Sequence, residues 1–132
     1  MSNLAELQSL TLEEYLAGEE TSDVKHEYIA GEVFAMAGAT DEHVTISLNM
    51  GALLRAHVRG TPCRVYMADM KLLVATQITE NVFYPDVFVT CSLTDASERL
   101  TKREPTLIIE VLSASTEAYD RGAKFAHYRQ LE

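Results

Sequence analysis

Glu110 stands inside Leu107-Ile108-Ile109-Glu110-Val111-Leu112, the most apolar stretch of the chain. A carboxylate buried in such a stretch costs several kcal/mol unless something compensates it. The residue type therefore points to metal ligation or catalysis; the plain alternative is a strand end where Glu110 reaches solvent. Asp86 is its natural companion, directly after Pro85 and just before Val87-Phe88-Val89. Pro-Asp is also ordinary turn chemistry, so Asp86 taken alone reads as the start of a strand. If two apolar strands bring Asp86 and Glu110 to one sheet edge, the carboxylates repel each other and a divalent cation relieves the repulsion. Hard oxygen ligands favour Mg²⁺ or Mn²⁺ over zinc.

Other polar residues carry weaker signals. His43 lies near the start of a long helical pattern, where it could shuttle a proton or meet a phosphate, or serve only as a polar first-turn residue. Asp69, between two strands and before Lys71, could support the site or simply make a turn. His26, His57 and His127 have no zinc-like spacing and read as structural.

The chain has 132 residues, with 11 Lys+Arg against 20 Asp+Glu and a formal net charge of -9. The length predicts one domain spanning residues 1–132, large enough to bury a core without a structural metal. Hydrophobic residues at 47% exclude disorder and low complexity. No apolar run is long enough to form a membrane-spanning helix, and Met1 to Leu12 lacks the basic start and apolar core of a secretory signal. Cys63 and Cys91, without CxxC spacing, read as reduced thiols of a cytoplasmic protein. The acidic balance excludes a broad basic footprint on nucleic acid, so any DNA contact needs a local patch or a bridging metal ion.

These residues must be held by a mixture of helices and strands. Thr11 and Glu14 have capping-box spacing before a helix that fades at Gly18. His26–Ala30 and Glu32–Met36 flank Gly31 as a hairpin. A long helix runs from a cap at Asp41 to about Arg59. Short strands follow at Arg64–Met67, Met70–Val74, Asn81–Tyr84 and Asp86–Cys91. Thr106–Leu112 is apolar enough to be a central strand buried on both faces. After a turn at Ser113–Thr116, a closing helix runs from about Glu117 to the end. The fold class is α/β or α+β, a mixed sheet flanked by helices.

Tyr84-Pro85-Asp86-Val87, followed by Pro105 and then Ile109-Glu110-Val111-Leu112-Ser113-Ala114-Ser115-Thr116, resembles the Uma-two family of restriction-endonuclease-like proteins within the PD-(D/E)xK nuclease superfamily. The resemblance covers nearly the whole chain: His26-Glu27-Tyr28 with Gly31-Glu32-Val33 resembles the family's first hairpin, and Asp120-Arg121 with Lys124 and Tyr128 its closing helix. It implies a restriction-endonuclease-like mixed sheet in which Asp86, Glu110 and the Val111 carbonyl hold Mg²⁺ or Mn²⁺, with Glu27 completing the shell. The superfamily's Lys, two residues after the Glu, is here Leu112. The resemblance implies that Lys124 replaces it from the following helix; by spacing alone Lys124 is an ordinary helix lysine paired with Asp120.

The expected function is a metal-dependent endonuclease acting on DNA, with Asp86, Glu110, Lys124 and Glu27 as catalytic residues. Leu112 and the acidic surface favour a rival, a nuclease-fold module that binds DNA or regulates without turnover. A metal hydrolase with another substrate ranks last. The chain ends at Tyr128–Glu132 inside a helical pattern, whereas family members continue with further strands. A fold truncated at the C-terminus is therefore expected, with an open sheet edge that pairs two copies as a homodimer.

Overall fold

The computed structural model describes residues 9–112, 122 and 124–131. Thr11 starts α1 (Leu12–Glu19): its side chain accepts the Glu14 N–H, and the Glu14 carboxylate accepts the Thr11 N–H. Leu12 and Tyr15 bury one face of this helix against Tyr28, Leu73 and Val82. The hairpin forms as β1 (His26–Ile29) and β2 (Glu32–Ala35). Its turn residues Ala30 and Gly31 both have positive φ, 49° and 91°, the geometry of a tight hairpin turn. The next helix, α2 (Asp41–Val58), is capped by Thr40 and not by Asp41. Thr40 is extended and its hydroxyl takes the His43 N–H, which leaves Asp41 in the first turn.

The remaining elements are β3 (Arg64–Met67), β4 (Lys71–Ala75), β5 (Glu80–Phe83), β6 (Val87–Thr90), α3 (Leu93–Ser97), β7 (Thr101–Lys102), β8 (Pro105–Ile109) and α4 (Phe125–Tyr128). The strands form a mixed five-stranded sheet, in order β2-β1-β5-β4-β7, and an antiparallel three-stranded sheet, β3-β6-β8. Short loops carry the chain from one sheet to the other at Ala68–Met70, at Tyr84–Asp86 and at Arg103–Glu104, while α2 and α3 lie in the other two passages. The first two loops are tied together, since the Ala68 N–H donates to the Asp86 carbonyl. Leu72, Val74, Phe83 and Phe88 form a second core cluster, against which Ile108, Tyr128 and Leu131 pack.

Two points of the expected layout need correction. The apolar run of β8 is not a central strand: among the described residues it pairs only with β6, and Leu107 is 42% exposed. The burial expected there falls on β6, which lies between β3 and β8 and is buried at all four positions. Neither α3 nor β7 was expected. They are organised by Asp95, fully buried, whose carboxylate accepts the Thr90 hydroxyl and the N–H groups of Arg103 and Glu104. The turn at Ser113–Thr116 and a helix start at Glu117 lie outside the described residues.

The cysteines are not free. Cys63 and Cys91 form a disulfide with a Cα–Cα distance of 3.9 Å. The reason is register: Arg64 pairs with Thr90, so the residues just outside that pair, Cys63 and Cys91, face each other across β3 and β6. The expectation of a reducing compartment rested partly on free thiols and loses that support. Reduction, or Cys63→Ser with Cys91→Ser, should lower unfolding stability by about 3–4 kcal/mol, the chain-entropy value for a loop of this length. Urea unfolding with and without dithiothreitol measures it.

Candidate active site

The β6–β8 register explains how two carboxylates 24 positions apart in the chain become neighbours. Val87 pairs with Ile109, so one step beyond that pair Asp86 comes opposite Glu110. Asp86 is fixed at both oxygens: the Val111 N–H donates to Oδ2 at 2.7 Å, and His43 Nε2 lies 2.7 Å from Oδ1. His43 reaches it from the first turn of α2. Pro85, fully buried, stiffens the passage that delivers Asp86.

Glu110 Oε1 accepts from Lys124 Nζ at 2.8 Å and from the Tyr128 hydroxyl at 2.6 Å. Lys124 Nζ also lies 3.1 Å from Glu27 Oε2. Lys124 is 4% exposed, with its ammonium 5.5 Å from the Phe83 ring centre. The reading of Lys124 as a solvated helix lysine is therefore wrong: it is buried between carboxylates from β1 and from the end of β8. Glu27 arrives there by strand alternation. Lys25, Glu27 and Ile29 line the site, while Tyr28 turns to the opposite face and stacks on Tyr15.

These groups line one cavity of about 660 Å³. Glu27, Asp86, Glu110, Lys124 and His43 form its polar part. Phe34, Met36, Val44, Leu48 and Met67 supply an apolar wall, and Lys25 and Tyr84 also line it. Three carboxylates and two lysines, Lys25 and Lys124, line the cavity, so the site carries surplus negative charge. Burial, with the Asp86 charge adding to it, pushes Glu110 up to about 7 even though Lys124 and Tyr128 pull it down. Burial works against the Lys124 ammonium, but Glu110 and Glu27 outweigh it and its pKa is raised.

The structure thus brings Asp86, Glu110, Lys124, Glu27 and His43 together. Val111 is buried and joins them through its N–H. Asp69 stays outside: its side chain is 89% exposed and pairs with Lys25 at 3.1 Å. Asp120 and Arg121 lie outside the described residues. Among the described residues, no group of three or more His, Cys, Asp or Glu side chains is arranged to hold a metal ion. Sequence reasoning overlooked Lys25 and Phe34. The period-two pattern Lys25-Glu27-Ile29 could have found the first; the second needed the hairpin register, which sets Phe34 opposite Glu27.

A mixed α+β fold with a carboxylate pair at the junction of its sheets and a buried lysine bridging to it is restriction-endonuclease-like. The chain belongs to the Uma2 family, whose description reads "Putative restriction endonuclease" and whose family model matches residues 12–132. Its relatives include two proteins of Synechocystis sp., the uncharacterized proteins slr1290 and sll1609. The first is 41% identical over 94% of this chain and 64% of its own length, the second 36% identical over 99% and 74%. The chain therefore spans a little under two thirds of the first relative's length. No helix among the described residues is long and apolar enough to cross a membrane.

Two outcomes follow. Glu110 has a folded-state pKa near 7 against 4.5 for the free side chain. Its stabilising contribution is complete below pH 4.5 and is lost as pH rises through 7. Metal-free protein should lose on the order of 3 kcal/mol across this window, and Glu110→Gln should flatten the dependence. Thermal unfolding from pH 4.5 to 8 reads both. Lys124→Met should cost about 3–5 kcal/mol at pH 8, because it leaves buried carboxylates uncompensated, and less at pH 5, where Glu110 holds a proton.

Proposed function

We propose that this chain is a metal-dependent endonuclease that hydrolyses DNA phosphodiester bonds. The observation that carries the reading is Lys124 Nζ, 2.8 Å from Glu110 and 3.1 Å from Glu27, in the cavity that Asp86 also lines. A lysine from the closing helix thereby stands in for the one that Leu112 replaces two residues after Glu110. The donor set suits a hard divalent cation: carboxylates in close opposition with more negative than positive charge around them. Mg²⁺ or Mn²⁺ would be held by Asp86, Glu110 and the Val111 carbonyl. With so few protein ligands, water would complete the shell, as small divalent cations prefer.

The bound cation supplies Lewis acidity to the phosphoryl oxygen and lowers the pKa of a water. The protein's residues do the rest. Lys124 orients the attacking water and offsets the charge that grows on the phosphoryl oxygens. Glu27 and Tyr128 hold the Lys124–Glu110 pair in place, and His43 with the Val111 N–H sets the direction of Asp86. A P–O bond forms to the water oxygen, the bond to the leaving sugar oxygen breaks, and the water proton passes to that oxygen.

A second reading has its own support. Both Asp86 oxygens already have partners and Leu112 occupies the usual lysine position, which suits a nuclease fold that binds DNA or regulates without cutting it. The edge strand β8, with Leu107 exposed, further supports a homodimer, checked by light scattering at micromolar concentration. Asp86→Asn and Glu110→Gln should each lower Mg²⁺-dependent plasmid nicking by at least about a hundredfold. Mn²⁺ binding without nicking by the unaltered protein would decide for the second reading.

A further inference from the structure

The cavity joins two surfaces that a phosphate-handling site does not need to combine. One side is ionic. The other is apolar and wet: Phe34, Val44 and Leu48 are 46%, 54% and 58% exposed. A phosphodiester backbone has no use for such a wall. Paired duplex DNA presents phosphates and groove edges, and its base faces are stacked inside. An unstacked base offers a π-face that settles on aromatic and aliphatic side chains.

The placement is set by register. Phe34 pairs with Glu27 across the hairpin, so the two side chains share a face, and Glu27 is bound to Lys124. A ring in the wall is therefore one residue pair away from the lysine of the ionic side. Scale and charge agree. A cavity of about 660 Å³ is of a size that holds one small organic group, not a double helix. Its lining has two lysines, Lys25 and Lys124, in a chain of net charge -9, which gives no basic track for a duplex.

We infer that the substrate of this site is an unpaired nucleotide of DNA, in a single strand or at an unpaired position of a duplex, with its base on the Phe34–Leu48 wall and its phosphate at the Lys124 end. The inference rests on the nuclease reading for the identity of the ligand, but its test reads binding apart from cleavage.

Fluorescence anisotropy in EDTA compares three labelled DNA probes of one sequence: single strand, paired duplex, and duplex with a central bulge. The single strand and the bulged duplex should bind at least about tenfold tighter than the paired duplex. Phe34→Ala should weaken binding to the unpaired probes about tenfold and leave the paired duplex unchanged, while Phe34→Tyr retains binding. Leu48→Ser on α2 should act in the same direction. Equal or tighter binding of the paired duplex, or no effect of Phe34→Ala, overturns the inference. So does a change of oligomeric state in Leu48→Ser with unchanged DNA affinity, which would make the wall a contact between copies. Cleavage with Mg²⁺ on the same probes reads the nuclease proposal separately: cutting of paired duplex without preference sinks this inference alone, and preference for unpaired DNA without cutting sinks only the nuclease step.

Discussion

The ammonium of Lys124, buried between Glu110 and Glu27, is the interaction on which the site depends. Each carboxylate alone would be an uncompensated charge under the sheet; together they repel. One lysine answers both, at 2.8 and 3.1 Å, and in doing so ties the residue just before α4 to β1 and to the end of β8. The compensation is incomplete by design of the residue count, since Asp86 adds a third negative charge nearby. The rise of Glu110 to about 7 expresses that excess. Surplus negative charge in a low dielectric favours the uptake of a proton, and Glu110 is where it shows.

The sheets serve this arrangement through their junctions. Asp86 and Glu110 do not sit in mid-strand, where side chains alternate into packed faces. They lie just outside paired residues, where the chain leaves the three-stranded sheet, and there the backbone can give a N–H to a side chain: Val111 to Asp86. The disulfide lies at the other end of β6, where Cys91 follows the Arg64–Thr90 pair, so the strand that delivers Asp86 is held at its far end by a covalent bond. The buried Asp95 holds the return from β7 to β8 by accepting two backbone N–H groups.

The same geometry gives the cavity two unlike sides. The ionic side of the cavity is built by sheet junctions and the residue before α4, and each polar group in it has a named partner. The exposed part of the apolar wall comes from β2, at one edge of the larger sheet, and from α2, which packs on β3 and β6; Phe34, Val44 and Leu48 are about half in water. The polar groups are tightly bonded to one another, while the apolar ones are loosely covered.

Local chemistry was readable from the chain. Thr11 and Glu14, the turn before β2 and the two carboxylates in apolar company declare themselves because their signals act within a few residues. The extended motif around Asp86 and Glu110 disclosed the family for the same reason. Other features depend on partners distant in sequence. Thr40 outcompeted Asp41 as the cap because its backbone is extended. Among the described residues the apolar run of β8 pairs on one side only, because pairing partners, not composition, decide which strand is central. The disulfide follows from the register of β3 and β6, which no spacing of two cysteines reveals. Lys124 and Phe34 took their places only when the hairpin closed beside α4, since burial and charge compensation are properties of the assembled fold. The sequence by itself determined which residues could do chemistry; the tertiary structure decided which of them meet.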